Sequence, residues 1–232
     1  MIKNKKIWVI FIAAQRLITD PAMTTAPTPQ EVISRIESSY SALIFDLDGT
    51  LADSNPAHLE AWTHACRAFG LEYPRNKFYF FSGLSSLKIA EEILKMYGKE
   101  KEISARALSD RKEREFDLLE KELVKPIPSV LEIVRHFHGR LPMAVGTGRL
   151  RSSTLKTLDH LDLTRYFDVI VASDDVENHK PAPDTFLLCA AKMGVAPEKC
   201  LVFEDGERGL EAARRAGMAV VDVTPWHPRM KI

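Results

Sequence analysis

Residues 40–50 read Tyr-Ser-Ala-Leu-Ile-Phe-Asp-Leu-Asp-Gly-Thr. Tyr40 to Phe45 is a short apolar run of the kind that forms a strand buried on both faces, and it stops abruptly at Asp46. Asp46, Asp48, Gly49 and Thr50 then stand where a strand ends and a loop begins, the place where open α/β sheets keep their sites. Once the backbone turns at Gly49, both carboxylates can reach one pocket. Two clustered carboxylates repel unless a cation or a shared proton offsets them, so Mg²⁺ is the economical explanation of the pair.

Four more short apolar runs follow, at Leu141 to Gly146, Asp168 to Ala172, Cys200 to Phe203 and Ala219 to Val223. Helical patterns separate them at Ser152 to Leu161, Asp184 to Met193 and Gly206 to Ala216, and Gly194 and Gly217 close the last two. Another short helix, Glu31 to Ser39, precedes the first strand. Alternation of strand and helix predicts a parallel sheet covered on both faces, an α/β Rossmann-like core. The interval from Pro56 to Lys125 breaks this rhythm: Ala57 to Phe69, Ser85 to Tyr97 and Ser104 to Leu123 all carry a helical pattern. We therefore expect a helical cap inserted after the first strand, with hinges near Ser54 to Pro56 and Lys125 to Pro128. Trp62 and the pair Leu118-Leu119 are read as cap core. The expected division is 1–38 as a dispensable leader with a short helix, 39–55 with 126–232 as catalytic core, and 56–125 as cap.

Composition narrows the function. The chain has 232 residues, is 45% apolar and has equal numbers of acidic and basic residues, so it can bury a full core. It has no global field to gather nucleic acid or an acidic membrane. Cys66, Cys189 and Cys200 have no paired spacing and read as buried free thiols in a reducing compartment, which suits a cytoplasmic protein. The leader leaves three readings open: a basic stretch and apolar run Ile7 to Ala14 imitating a secretory signal, a dispensable leader with a start at Met23, or a folded or membrane-touching helix. Its apolar run is too short to span a bilayer, and no stable membrane association is expected.

Further polar residues fall at the ends of the predicted strands. Thr147 follows Met143 to Gly146, Glu204 and Asp205 follow Leu201-Val202-Phe203, and Lys180 sits in His-Lys-Pro-Ala-Pro. A hydroxyl, a cation and extra carboxylates at one sheet edge form a set compatible with phosphate and a metal. Arg149 and Arg151 read equally as contacts for a second anion or as a basic solvent loop. The remaining histidines, His227 among them, look ordinary, and none has a zinc-ligand spacing.

In this order, Asp46 to Thr50, Thr147, Lys180 within KPAPDTF and FEDGERG at Phe203 to Gly209 resemble the four motifs of the haloacid dehalogenase-like hydrolase superfamily, over about Ser41 to Val223. The resemblance implies a Rossmann-like core with a helical cap of the C1 type. It also implies an aspartyl-phosphate route. Asp46 would be the nucleophile and Asp48 the general acid and base. Thr147 and Lys180 would hold the phosphoryl oxygens, and Gly148 would bind substrate. Asp46, the Asp48 carbonyl, Asp205 and Glu204, the last directly or through water, would hold Mg²⁺. The cap start, Asp53 to Trp62, is similar to the subgroup of β-phosphoglucomutase and its phosphatase relatives, including bacterial phosphatases of fructose 1-phosphate and 6-phosphogluconate. By this match Ser54, His58, Gly83, Ser86, Lys88 and, more loosely, Lys112 would meet the substrate.

The expected activity is hydrolysis of a small phosphomonoester by a monomer without a nucleic-acid partner. The rivals are a mutase of the β-phosphoglucomutase kind and a catalytically silent binding protein. In the resembling mutases an arginine three residues beyond the cap-loop glycine clamps the distal phosphate; counting from Gly83 reaches Ser86. The chain also stops soon after Val223, with Trp226-His227-Pro228 in place of a further strand and helix, so five parallel strands are expected.

Overall fold

The computed structural model describes residues 27–81 and 84–227. The expectations for residues 1–22, and the placement of Gly83, fall outside them. The elements in chain order are α1 (Pro29–Ser39), β1 (Ala42–Phe45), β2 (Ala52–Asp53), α2 (Asn55–Ala68), α3 (Ser86–Tyr97), α4 (Ala105–Leu123), β3 (Lys125–Pro126), α5 (Pro128–Phe137), β4 (Met143–Gly146), α6 (Arg151–His160), β5 (Val169–Val171), α7 (Asp184–Met193), β6 (Cys200–Glu204), α8 (Glu207–Arg215) and β7 (Ala219–Asp222). They fall into two compact units, one made of the described residues up to Leu51 with Pro126–His227, the other of Ala52–Lys125.

The first unit is built on a five-stranded sheet of order β5-β4-β1-β6-β7, with every neighbouring pair parallel. This is the expected α/β core, and the strand count matches the five apolar runs. β1, β4 and β6 are buried along their whole lengths, as befits central strands with helices on both faces. Ala42 and Ile44 pack with Phe186 and Cys189 of α7 and Leu210 and Ala213 of α8. The alternate residues Leu43 and Phe45 point to the opposite face, where Phe45 stacks on Phe203 at 4.7 Å between centroids.

Two parts of this unit differ from the sequence reading. α5 was read only as the far side of a hinge, yet Pro128 is its first residue, a position where a missing N–H costs nothing. Its buried Val130, Ile133, Val134 and Phe137 repeat at helical spacing. α1, grouped with the leader, is a built part of the unit. A capping box starts it, with Thr28 Oγ1 accepting from Glu31 N and Thr28 N donating to Glu31 Oε2, and it buries Val32 and Ile36.

The second unit has its own apolar core, drawn from Leu59, Trp62 and Cys66 on α2, Ile89 and Ile93 on α3, and Leu108 on α4. Trp62 is buried as expected, but Leu118 is 76% exposed. The two chain crossings carry β2 and β3, which form a two-stranded sheet. All three cysteines are free and buried, and burial pushes the Cys66 and Cys189 thiols up to about 12 and that of Cys200 to about 11. Among the described residues, no helix is long and apolar enough to cross a membrane.

Candidate active site

The central strands deliver their polar ends to one edge. Asp46 directly follows β1, and its N–H donates to the Phe203 carbonyl at 3.0 Å, continuing the ladder to β6 by one more residue. Glu204 is the last residue of β6, Asp205 follows it, and Thr147 follows β4, held by a 3.0 Å bond from its N–H to the Val171 carbonyl. Carboxylate oxygens of Asp46, Glu204 and Asp205 all lie within 4.8 Å of one another.

Lys180 comes to this group from 134 residues beyond Asp46. Its Nζ donates to Asp46 Oδ1 at 2.6 Å and to Glu204 Oε1 at 2.9 Å, and lies 4.6 Å from the centroid of the Phe186 ring. The other Glu204 oxygen accepts from Gly206 N at 2.6 Å, so both of its oxygens are engaged. The Lys180 loop is itself anchored, because Arg208 donates through Nε and Nη2 to the Lys180 carbonyl. Sequence reading found Lys180 but passed over Arg208, which carries no signal beyond its place in FEDGERG.

Burial and mutual repulsion act on these acids. Burial, with Glu204 and Asp48 adding to it and Lys180 opposing it, pushes the Asp46 carboxyl up to about 7. Burial and the charges of Glu204, Asp46 and Asp48 push Asp205 up to about 8. Burial pulls the Lys180 ammonium down, but Asp46 and Glu204 outweigh it and hold it above its ordinary value. One ammonium thus faces several carboxylates that still carry unmet negative charge.

Two glycines let these carboxylates approach the backbone. Gly49 has φ +78°, and a Cβ there would lie 2.1 Å from Asp205 Oδ2. A Cβ on Gly209 would lie 1.6 Å from Glu204 Oε1. An all-oxygen donor set, packed this tightly and short of positive charge, fits a hard divalent cation.

Asp48 faces a different partner. Arg149 Nη1 donates to Asp48 Oδ1 at 3.5 Å and to Thr157 Oγ1 at 2.9 Å, and Arg149 N donates to Thr147 Oγ1 at 3.2 Å. Arg149, left open in the sequence reading, therefore stands between the Thr147 turn and the Asp48 carboxylate. Arg151 instead donates to the Ile170 carbonyl and the Asp175 carboxylate. Gly148 has open space where a Cβ would be.

In the second unit, a separate polar cluster forms on α2, α3 and α4. Lys112 is only 3% exposed; its Nζ lies 3.2 Å from Glu113 Oε1 and 5.0 Å from the centroid of Phe116, on which His58 stacks. Ser86 Oγ donates to the same Glu113 oxygen at 2.5 Å. Burial raises the Glu113 carboxyl, but Lys112, Ser86 and His58 together bring it below its ordinary value. Glu113, not singled out from sequence, links three residues that were. Lys88 is drawn to Glu91 and Glu92 on its own helix. Ser54 is fully buried and its hydroxyl has no hydrogen-bond partner among the described residues.

The sequence profile of the haloacid dehalogenase-like hydrolases matches residues 43–223, which include all of the sheet but Ala42 and every strand-end acid described above. The chain belongs to this family. It is 44% identical to the fructose-1-phosphate phosphatase YqaB of Escherichia coli, across 79% of this chain and 96% of that protein. It is 35% identical to a phosphorylated carbohydrates phosphatase of Thermotoga maritima, across 76% and 82%. A solved haloacid dehalogenase hydrolase of family IA, variant 3, from Entamoeba histolytica superposes with a TM-score of 0.67 at 28% identity, covering 78% of this chain and 82% of that one. As a member of the family, the chain is a hydrolase.

Proposed function

We propose that this hydrolase is a Mg²⁺-dependent phosphatase of small sugar phosphates, with fructose 1-phosphate or 6-phosphogluconate as substrate, working in the cytoplasm as a monomer. The observation that carries the reading is the group of buried Asp46 and Glu204 with half-buried Asp205, Lys180 bridging the first two. The similarity to a fructose-1-phosphate phosphatase supports the choice of substrate. The assignment of 6-phosphogluconate, of 39–55 with 126–232 as catalytic core and of 56–125 as cap follows the resemblance read from the motifs.

In this reading an Asp46 carboxylate oxygen attacks phosphorus as the bond to the leaving oxygen breaks, and Asp48 gives that oxygen its proton. Asp48 then takes a proton from water, which attacks the phosphorus of the aspartyl-phosphate and releases inorganic phosphate and free Asp46. Thr147 and Lys180 hold the phosphoryl oxygens throughout, so that charge meets preorganised donors, and Gly148 binds substrate. Asp46, the Asp48 carbonyl, Asp205 and Glu204 would hold Mg²⁺, which would supply positive charge to the phosphoryl oxygens and favour the ionised form of Asp46 and Asp205. Selection of the sugar falls to Ser54, His58, Gly83, Ser86 and Lys112. Lys88 has the weakest claim, since its charge is engaged within its own helix.

The test is release of inorganic phosphate from a panel of phosphomonoesters, with Mg²⁺ and with EDTA. Fructose 1-phosphate and 6-phosphogluconate should rank among the best substrates, and both EDTA and Asp46→Asn should abolish turnover. Release that survives EDTA, or a few per cent or more of normal activity in Asp46→Asn with deamidation excluded, would overturn the reading.

A further inference from the structure

Beyond β7 the chain runs through one short turn, Thr224–Trp226, to His227. Four donors along it reach back to backbone carbonyls. Val223 N donates to the Glu204 carbonyl at 2.9 Å, and Thr224 Oγ1 to the Asp205 carbonyl at 3.2 Å. Trp226 Nε1 donates to the Pro27 carbonyl at 2.9 Å, and His227 Nε2 to the Gly49 carbonyl. A carbonyl only accepts, so the His227 ring carries its proton on Nε2.

These anchors are not scattered. Glu204 ends β6 and Asp205 opens the loop after it, while Gly49 lies in the loop after β1, between Asp48 and Thr50. The two loops meet where the Gly49 backbone presses on the Asp205 carboxylate. Through Thr224 and His227 the segment after β7 holds a backbone carbonyl of each loop, so it ties the position of one loop to that of the other.

We propose that Thr224 and His227 are positioning residues for the carboxylate cluster, holding the Asp205 and Gly49 carbonyls so that Asp46 and Asp205 keep the spacing a small divalent cation requires. Mg²⁺ tolerates little departure from octahedral geometry, so a shift of either loop weakens its binding before it disturbs the fold. Outer partners of metal ligands typically contribute 10- to 100-fold in affinity. The proposal rests on the Mg²⁺ reading above and adds residues that touch neither metal nor substrate.

The experiment uses the full chain and four variants, Thr224→Val, Thr224→Ser, His227→Ala and His227→Gln. Mg²⁺ binding is measured by titration calorimetry, metal-free Tm by differential scanning calorimetry, and KM for fructose 1-phosphate at saturating Mg²⁺. Thr224→Val and His227→Ala should each weaken Mg²⁺ about tenfold. Metal-free Tm and KM should stay near those of the wild type. Thr224→Ser, which keeps the donor, should restore wild-type affinity, and His227→Gln should restore part of it.

Wild-type Mg²⁺ affinity in both Thr224→Val and His227→Ala overturns the proposal. A fall in metal-free Tm that accounts for the whole loss of affinity, without rescue by Thr224→Ser, overturns it as well. If the wild-type chain binds no Mg²⁺, the metal reading fails first and the positioning role with it.

Discussion

The Lys180 ammonium lies 2.6 Å from the Asp46 carboxylate and 2.9 Å from that of Glu204, inside a site from which water is largely excluded. It is a fixed cation that the unloaded site already needs, because without it two buried carboxylates would face each other. Lys180→Met keeps most of the volume and removes the charge. We expect kcat to fall about a hundred- to a thousandfold, the scale seen when one preorganised donor is lost. The stability loss should depend on pH. Above about pH 8 the variant leaves uncompensated buried charge, a defect on the order of 3 kcal/mol; near pH 5 Asp46, whose carboxyl burial raises to about 7, is protonated and much of the defect disappears. Urea denaturation at both pH values checks this, and a loss that is larger in acid would contradict the pairing.

Asp46 and Asp205 make a second prediction about the metal-free protein. Their folded values, about 7 and about 8, stand above the ordinary 3.8, so between these limits the folded chain binds more protons than the unfolded one. Groups raised in this way stabilise fully below the unfolded pKa and lose that contribution as pH rises through the folded pKa. In EDTA, the Tm should therefore drop from about pH 4 to about pH 8 and level off above it. Mg²⁺ favours the ionised carboxylates, so it should raise the Tm more at the higher pH. Asp205→Asn should flatten the metal-free slope, and a Tm in EDTA that climbs across this window would show that these acids are not held protonated.

Much of this fold can be read along the chain, because burial on both faces makes β1, β4 and β6 continuous apolar runs and leaves their acids at the ends. α5 escaped because Pro128 looks like punctuation until the helix behind it is known. At the site, Asp46, Asp205 and Lys180 were legible as residue types at strand ends and in a motif. Their pairing was not. Lys180 meets Asp46 across 134 residues, Arg149 meets Asp48 across 101, and His227 meets Gly49 across 178. Contacts of that span come from the crossover topology, not from any local period. Glu113 was missed for a related reason: on α4 it reads as one more exposed acid, and only the fold brings Ser86 to it from α3.

The Gly209 backbone lies against Glu204 so closely that a Cβ would fall 1.6 Å from Oε1 and 2.7 Å from Cγ. Gly209→Ala must then displace a carboxylate held at both oxygens by Lys180 and Gly206. Overpacking of this kind usually costs about 1–3 kcal/mol, and here it also moves a member of the cation cluster. We expect a folded variant with a lower Tm and an Mg²⁺ requirement shifted to higher concentration. Activity and Mg²⁺ dependence equal to wild type would mean that Glu204 can move without consequence.

The last prediction concerns the outcome of the reaction. A mutase must bind a bisphosphate at both ends and keep water from the aspartyl-phosphate while the sugar turns around, which calls for a cationic clamp on the cap. At the position counted from Gly83, Ser86 spends its hydroxyl on Glu113, and a serine supplies no charge in any case. Lys112 faces the same Glu113 carboxylate, and Lys88 is paired with Glu91 and Glu92. Each lysine of this cluster is thus balanced by an acid at close range, whereas a second phosphate needs surplus positive charge. His58 and Lys112 are shared with the resembling mutases, so the decision rests on that charge balance. Supplied with β-glucose 1-phosphate, Mg²⁺ and catalytic glucose 1,6-bisphosphate, the enzyme should release inorganic phosphate, more slowly than from fructose 1-phosphate. Glucose 6-phosphate accumulating much faster than inorganic phosphate would make it a mutase. Glu113→Gln removes the balancing charge, and it should raise the affinity for glucose 1,6-bisphosphate as a competitive inhibitor while leaving Mg²⁺ dependence unchanged.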